Sequence, residues 1–187
     1  MVQTPSKILT LEAFLATPET KPASEYIDGK IIQKPMPQGE HSTIQGELLI
    51  AINAVTKPQK IARAFPELRC IFANRAIVPD IAVFCWDRIP RNEAGGIANL
   101  FAIAPDWIIE ILSPEQSSTQ VIAKILHSLK HGTQLGWLID PKEKAIFIFY
   151  PNQSLDWIDQ PEQLLPVPDF ASNLQLTLED IFNWLLE

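Results

Sequence analysis

Two carboxylates interrupt apolar stretches of this sequence in which folding alone gives them no role. Asp80 lies in the run 77–84, and Glu110 lies in the run 107–112. Both runs are short, continuous and rich in β-branched residues, which is typical of strands that are buried on both faces. An ionised carboxylate in such a place is costly unless a cation or hydrogen-bond donors compensate it. A single divalent cation that both carboxylates share would provide that compensation.

The geometry of a β-strand shows how the two carboxylates could meet. Alternate residues of a strand face the same side, so Glu110 shares a face with Ile108, and Asp80 shares a face with Ala82. If the two strands pair, both carboxylates can point to one spot and hold Mg²⁺ or Mn²⁺, which prefer oxygen ligands. Such a metal would polarise a phosphodiester and acidify an attacking water. The other interpretation is two buried carboxylates that bond to backbone groups or to arginine.

Length and composition indicate one globular domain. The chain has 187 residues, of which 47% are hydrophobic and 20% are charged, and this is enough to bury a core. No apolar stretch is long enough to span a membrane, and the segment 1–7 lacks the pattern of a targeting leader. We therefore expect a cytoplasmic protein without a membrane partner. Cys70 and Cys85 lack any metal or redox spacing.

The charge is unevenly distributed along the chain. The net charge of −7 argues against a general affinity for nucleic acid. Residues 57–91, however, have a local balance of +4. A basic surface next to Asp80 would suit an anionic substrate, and an ordinary solvated surface explains the same pattern equally well.

Periodicity and turn signals predict a chain of the α/β (mixed α+β) class. The predicted elements are a helix capped by Thr10, a hairpin turning at Asp28-Gly29, a helix over 41–55, strands near 68–73, 77–84 and 107–112, a helix that opens at Ser113-Pro114-Glu115 and runs to Lys130, strands over 137–139 and 145–150, and a helix over 178–186. This order favours a mixed β-sheet flanked by helices, with an N-terminal β-hairpin extension. We expect a single domain over 1–187, with a core at about 41–150, an N-terminal helix and hairpin at 8–35, and a C-terminal tail and helix at 151–187.

Three polar residues of the helix that follows Glu110 lie away from its apolar stripe. Lys124, His127 and His131 project away from the stripe, which predicts exposure to solvent; the stripe consists of Ile122, Ile125, Leu126 and Leu129. The two histidines have the spacing of a helical zinc pair, but no third ligand presents itself, so an exposed helix face is favoured. Asp106 would face the same side of the strand as Glu110, because the two are separated by an even number of positions. Its place after a proline favours a cap or a turn.

The order of these motifs resembles that of a known nuclease superfamily. Pro79-Asp80, about 30 residues of intervening chain and then Glu110 on an apolar strand are similar to the PD-(D/E)XK nucleases. More narrowly, the chain resembles a restriction-endonuclease family that is greatly expanded in cyanobacteria, and the match extends from Leu9 to Phe182. The segments that carry this resemblance are 25–29, His41, 78–81, 104–114, Lys124, Gly132 and 137–141.

The resemblance implies a restriction-endonuclease-like fold and Mg²⁺-dependent hydrolysis of DNA phosphodiesters, with Mn²⁺ as the other suitable metal. Asp80, Glu110 and the backbone carbonyl of Ile111 would be the metal ligands. Leu112 occupies the position at which the superfamily usually has its lysine, and in this family the lysine lies on the following helix, at Lys124.

The resemblance also assigns roles to the remaining polar residues. Lys124 would orient the attacking water or stabilise developing negative charge. His41 would contact water or phosphate, and Glu25 would bond within the same polar pocket. A homodimer is expected, since nucleases that cut both strands are commonly two-fold dimers.

Three residues depart from the family pattern. Gln120 stands where an aspartate is usual, Ser128 where a tyrosine is usual, and Leu135 where a glutamate is usual. These departures leave open an alternative function for the same fold, namely a catalytically decayed member that acts as a nucleic-acid- or protein-binding dimer.

Overall fold

The computed structural model describes residues 9–114 and 116–186, so the predictions made for 1–7 and for Glu115 lie outside the described residues. The strands are β1 (Ser24–Ile27), β2 (Lys30–Gln33), β3 (Ala62–Pro66), β4 (Cys70–Phe72), β5 (Arg75–Ile77), β6 (Ile81–Cys85), β7 (Trp107–Ile111), β8 (Leu135–Asp140), β9 (Ala145–Phe149) and β10 (Leu155–Ile158). The helices are α1 (Leu11–Leu15), α2 (Gly39–Thr56), α3 (Ser118–Leu129) and α4 (Leu178–Asn183), and two short 3₁₀ turns occur at Trp86–Arg88 and Asp169–Ala171.

The strands form two sheets. The larger sheet has the order β10-β9-β8-β7-β6-β3 and is antiparallel except for β7 and β8, which run parallel and are joined through α3. The smaller sheet has the order β2-β1-β5-β4. The predicted mixed α+β architecture with a helix-flanked sheet is therefore confirmed. The N-terminal hairpin is more than an extension, because β1 pairs with β5 and ties the hairpin to the rest of the fold.

Helices cover both faces of the larger sheet. On one face, α2 buries Ile44, Leu48 and Ile52 against the odd-numbered residues of β7, and α4 packs into the same cluster. On the other face, α3 buries Val121 and Ile125 in a cluster that includes Ile108. The even-numbered positions of β7 therefore face α3, which places Glu110 beneath that helix.

The predicted strand over 77–84 is wrong in one respect, because it is divided into β5 and β6. Val78, Pro79 and Asp80 form the link between the two sheets. Pro79 has no N–H group to offer to a strand ladder. The N–H group of Val78 donates to the side chain of Glu25 at 2.7 Å. The break in the apolar run places Asp80 between the two sheets, where it contacts residues from both sides.

Other differences from the predicted elements occur at edges and ends. Strands β3 and β10 were not predicted, since both are edge strands of the larger sheet and lack a long apolar run. The strand predicted near 68–73 is shortened to β4 by a turn at Ala73-Asn74, where both residues have positive φ. Helix α3 begins at Ser118 rather than at Ser113, and α4 ends at Asn183 rather than at 186.

Gly136 sets the distance between α3 and the sheet. A Cβ atom at this position of β8 would lie 2.3 Å from Cγ2 of Ile125 on α3 and 3.4 Å from Cγ2 of Ile108. No side chain fits there unless the side chain of Ile125 or the helix itself moves. The height of α3 above β7 and β8 therefore depends on a glycine at this position.

We expect Gly136→Ala to lower the free energy of unfolding by about 1–3 kcal/mol, because overpacking forces α3 away from the sheet. In an Ile125→Ala background the same change should cost less, since the clashing methyl group is gone. Gly46→Ala in the middle of α2 is the matched control: its Cβ would meet no atom within 4 Å, and we expect a gain of about 0.5–1 kcal/mol. Urea denaturation of the unmodified protein and the four variants measures these costs, and equal costs of Gly136→Ala in both backgrounds would contradict this account.

Candidate functional site

The register of the larger sheet brings Asp80 and Glu110 side by side. β6 and β7 pair antiparallel with Ile81 opposite Ile109, so Asp80, the residue before β6, and Glu110, the residue after Ile109, adjoin at this end of the pairing. Their proximity acts on the pKa of Glu110, which burial raises and the charge of Asp80 helps to raise. Both carboxylates are buried, with exposed fractions of 2% and 1%.

Asp80 is surrounded by donors from three segments. Its Oδ1 lies 2.5 Å from Nζ of Lys34 and 3.4 Å from Nε2 of His41, and its Oδ2 accepts the N–H of Ile111 at 2.7 Å. Burial alone would raise the pKa of Asp80, but the contact with His41 and the positive charge of Lys34 outweigh it and hold the pKa well below its ordinary value. Asp80 is therefore an anion over the whole physiological range.

Lys124 is buried between two carboxylates. Its Nζ lies 2.9 Å from Oε2 of Glu110 and 2.9 Å from Oε1 of Glu25. Burial would lower the pKa of Lys124, but the charges of Glu110 and Glu25 outweigh this effect and raise the pKa above its ordinary value. The prediction that Lys124 faces solvent is wrong.

Lys124 was predicted to be exposed because the apolar stripe of α3 was assigned to the wrong set of residues. The buried residues of α3 are Val121, Lys124, Ile125, Ser128 and Leu129. Leu126, which the sequence pattern placed in the stripe, is 37% exposed. The ammonium group of Lys124 faces inward because acids from two other segments lie beneath that side of the helix.

Glu110 lacks hydrogen-bond donors although it is buried. Its Oε2 is close to Nζ of Lys124, but the two groups are not aligned for a hydrogen bond, and neither oxygen of Glu110 has a hydrogen-bond partner. Burial raises the pKa of Glu110 to about 8, and the charge of Lys124 only partly opposes this increase. A buried carboxylate with unsatisfied oxygens is a group that a bound cation would complete.

The hairpin formed by β1 and β2 supplies one acid and one cation to the site. Glu25 on β1 accepts the N–H of Val78 and contacts Lys124, and Lys34 lies one residue beyond β2, where its Nζ also donates to the carbonyl of Val78 at 2.9 Å. The sequence analysis did not identify Lys34. Its position after the strand that pairs with the strand of Glu25 could have indicated a role in the site. A lysine that precedes a proline at the end of a hairpin, however, is ordinarily exposed.

His41 belongs to the Asp80 side of the site. It is buried in the first turn of α2, and its Nδ1 lies 3.2 Å from Oγ of Ser113. One turn further along the helix, Nε2 of Gln45 donates to the backbone carbonyl of Asp80 at 2.8 Å. Gln45 and Ser113 were not predicted as site residues from the sequence; the spacing of four residues between His41 and Gln45 was the available signal.

Arginines of the basic segment 57–91 are engaged in ion pairs away from this site. Arg75 lies 2.6 Å from Asp28, Arg69 lies 3.1 Å from Glu19, and Arg88 lies 2.5 Å from Asp106. Over residues 9–114 and 116–186, the basic side chains that contact Asp80 and Glu110 are two lysines and a histidine.

Asp106 lies at a bend directly before β7, as predicted, and its side chain in addition makes buried contacts. Asp106 is 1% exposed, pairs with Arg88 and accepts the N–H of Cys85 at 2.8 Å. It lies beside the end of β6, whereas Asp80 lies before the start of that strand. Asp106 therefore stabilises the opposite end of the sheet and does not reach the paired carboxylates.

The histidine pair of α3 stacks on an aromatic ring. His127 lies over Phe72 with 5.2 Å between the ring centroids, and His131 lies 4.5 Å from His127. The predicted fully exposed face is therefore wrong for His127, which is half-buried. Burial and the nearby Arg75 lower the pKa of His127 to about 4.

A pocket opens beside the paired ions. It has a volume of about 390 Å³ and lies between the hairpin and the start of α3. Its polar lining includes Glu25, Gln33, Lys34, Gln120 and Lys124. Of the three residues that depart from the family pattern, Gln120 thus lines the pocket, whereas Ser128 and Leu135 are buried in the fold. The pocket gives solvent and solutes a route to the two lysines.

Hard oxygen ligands at this site are limited in number. The described part of the chain contains no cluster of three or more His, Cys, Asp or Glu side chains placed to hold a metal. A metal bound by Asp80 and Glu110 would therefore need backbone carbonyl groups or water to complete its coordination. No helix within the described residues is long and apolar enough to cross a membrane.

A mixed sheet with one acid just before β6, a second acid on the adjacent strand β7 and a lysine on the following helix defines a protein of the restriction-endonuclease-like class. The chain belongs to the putative restriction endonuclease family Uma2, which it matches over residues 11–179. It is also similar to a solved structure described as a putative nuclease belonging to DUF820 from Anabaena variabilis, with 63% sequence identity and a TM-score of 0.94. The similarity covers 95% of this chain and 99% of that one. No curated protein matches the chain significantly.

Proposed function

We propose that this protein is an endonuclease that hydrolyses the phosphodiester bonds of DNA with Mg²⁺ or Mn²⁺ as its cofactor. The observation that carries the proposal is the buried pair of Asp80 and Glu110, in which both oxygens of Glu110 lack hydrogen-bond donors. Membership of a nuclease-like family supports the class of reaction. DNA as the substrate and the metal as the cofactor are the proposed steps.

The residues present fit a hard divalent cation. Asp80, Glu110 and the backbone carbonyl of Ile111 would hold it, and the unsatisfied oxygens of Glu110 are the atoms that would gain most from it. When bound, the cation would polarise the scissile phosphate and lower the pKa of a water molecule.

The protein's own side chains would position the water and stabilise charge. Lys124 is held by Glu25, so its ammonium remains in place when Glu110 is engaged elsewhere. It would orient the attacking water or stabilise the negative charge that develops on the phosphate. His41, which is fixed by Ser113, would contact water or a phosphate oxygen on the Asp80 side.

A homodimer would suit cleavage of both strands of a duplex. A two-fold axis would bring two such sites to the two strands. Leu155 and Trp157 on the edge strand β10 are 52% and 62% exposed, and they offer an apolar surface for such an association.

The direct test of this function is DNA cleavage by the purified protein. Supercoiled plasmid, linear duplex and single-stranded DNA are incubated with Mg²⁺, with Mn²⁺ or with EDTA. We expect cleavage that requires the metal. Binding of DNA without any cleavage, together with no measurable metal binding, would favour the decayed family member instead.

Metal affinity should increase with pH, because the cation requires ionised Glu110. With a pKa of about 8 in the metal-free protein, we expect the affinity to increase roughly tenfold per unit between pH 6 and 7 and to level off above pH 8. Calorimetric titration with Mn²⁺ at several pH values measures this affinity. Near pH 7, titrations in two buffers of different ionisation enthalpy should show that about one proton is released when the metal binds. Glu110→Gln should abolish the pH dependence. A flat profile in the unmodified protein would contradict the assignment.

The same ionisation has the opposite effect on the stability of the metal-free protein. Because the pKa of Glu110 is raised from 4.5 to about 8 on folding, its contribution is fully present below the unfolded value and is lost as the pH rises through the folded value. Added metal should therefore stabilise the protein more at pH 8 than at pH 6.

A further inference from the structure

Lys34 occupies the side of Asp80 that a metal would need. We infer that Lys34 is an internal counter-ion, which neutralises Asp80 in the metal-free protein and moves into the adjacent pocket when a divalent cation binds. This inference rests on the proposed function, since it requires a metal at Asp80 and Glu110. It adds a residue and a conformational step that the metal ligands alone do not imply.

The two oxygens of Asp80 have different partners. Oδ2 accepts the N–H of Ile111, a backbone group fixed in β7. Oδ1 faces the ammonium of Lys34 at 2.5 Å, with Nε2 of His41 further away at 3.4 Å. A cation shared with Glu110 is therefore best accepted by Oδ1, and its charge would repel the ammonium group already bound there.

The contacts of the two buried lysines determine which of them can leave. Lys124 also pairs with Glu25, so it keeps an acidic partner when Glu110 turns to a metal. Apart from Asp80, the partner of Lys34 is the neutral carbonyl group of Val78. The loss of Asp80 would thus remove the ionic partner of Lys34, whereas the loss of Glu110 would leave Lys124 paired.

Backbone placement supports the same assignment. Lys34 follows the last residue of β2, a strand at the edge of the smaller sheet, and it lines the pocket. Lys124 lies in the middle of a twelve-residue helix packed on the larger sheet. A flexible side chain at a sheet edge beside an open pocket can move without unfolding its surroundings.

The adjacent pocket could hold the displaced ammonium group of Lys34. The pocket wall near Lys34 carries Gln33 and Gln120, whose side chains can accept hydrogen bonds. In the pocket the lysine would be a free cation beside the metal, where it can contact an anionic group of a bound phosphodiester. The same residue would thus neutralise the site before metal binding and bind substrate afterwards.

Chemical labelling of lysines tests the movement in the unmodified protein. An amine-acylating reagent is applied with and without saturating Mn²⁺, and the rate at each lysine is measured by mass spectrometry. We expect the rate at Lys34 to rise at least about tenfold with metal, as a buried side chain becomes exposed. Lys124 should stay protected, and Lys30, which is exposed on the same hairpin, should react equally fast in both states.

The affinity for Mn²⁺ tests whether Lys34 competes with the metal for Asp80. Lys34→Met removes the competing charge and should tighten Mn²⁺ binding roughly 10- to 100-fold, whereas Lys30→Met should leave it unchanged.

Equal affinities in the unmodified protein and Lys34→Met, or protection of Lys34 in the metal-bound state, would overturn the inference and leave the proposed function intact. If neither protein binds metal, both fail. If only Lys34→Met binds it, the inference is supported. The labelling result stands without any variant, so a Lys34→Met protein that does not fold leaves the question decidable.

Discussion

Asp80→Asn and Glu110→Gln should each reduce the proposed metal-dependent DNA cleavage by at least about 10²–10³-fold, because each removes one of the two anionic ligands proposed for the metal. The substitutions preserve the shape of the side chain, so the fold should persist. Rates are measured on supercoiled plasmid at saturating Mg²⁺, and circular dichroism checks the fold. The loss should appear as weaker metal binding as well as slower cleavage.

A matched control exists at the other end of the same strands. Asp106 is as buried as Glu110 and is also ion-paired, but its partner is Arg88 and it lies away from the paired carboxylates. Asp106→Asn should lower stability while leaving the cleavage rate of the folded protein nearly unchanged. Full activity in both Asp80→Asn and Glu110→Gln would exclude these residues as metal ligands.

The second large effect concerns stability rather than catalysis. Lys124→Met should lower the free energy of unfolding of the metal-free protein by about 3–5 kcal/mol, because it leaves Glu25 and Glu110 buried without their cation. The deficit should be greater at pH 9 than at pH 6, since Glu110 is protonated at the lower pH and needs no counter-charge. Urea denaturation at the two pH values measures it.

Three further variants separate ion pairing from a simple change in packing: Glu25→Gln, its combination with Lys124→Met, and Lys130→Met. In a Glu25→Gln background, Lys124→Met should cost less, since one of the two stranded charges is already gone. Lys130→Met, at the exposed end of the same helix, should have little effect. If the loss at Lys124 were the same at both pH values and in both backgrounds, the ion-pair account would be wrong.

The sequence was most informative where burial and polarity conflict. Asp80 and Glu110 were identifiable because carboxylates in β-branched runs require an explanation, and strand alternation then indicated that they could share a face. The hairpin at Asp28-Gly29 was equally clear, since both residues adopt the positive φ that the turn requires. The family resemblance added Glu25, His41 and Lys124 to the candidate residues.

The sequence was least informative where the environment of a residue comes from distant segments. Lys124 looked exposed because a helical stripe is judged from its apolar members, and nothing local indicates that Glu25 lies under that side of α3. Lys34 escaped notice for the same reason, since its partner Asp80 is 46 positions away. The edge strands β3 and β10 lack the continuous apolar runs by which central strands are identified.

The break at Val78, Pro79 and Asp80 has a consequence for how this site comes into being. Glu25 accepts a hydrogen bond from the N–H of Val78, and Lys34 donates one to its carbonyl. The hairpin therefore binds both backbone polar groups of one residue in the link between the two sheets. Detachment of that hairpin would release the link and both side chains together. The hairpin over 24–34 thus supplies two charged groups of the ionic centre and also fixes the link that carries Asp80.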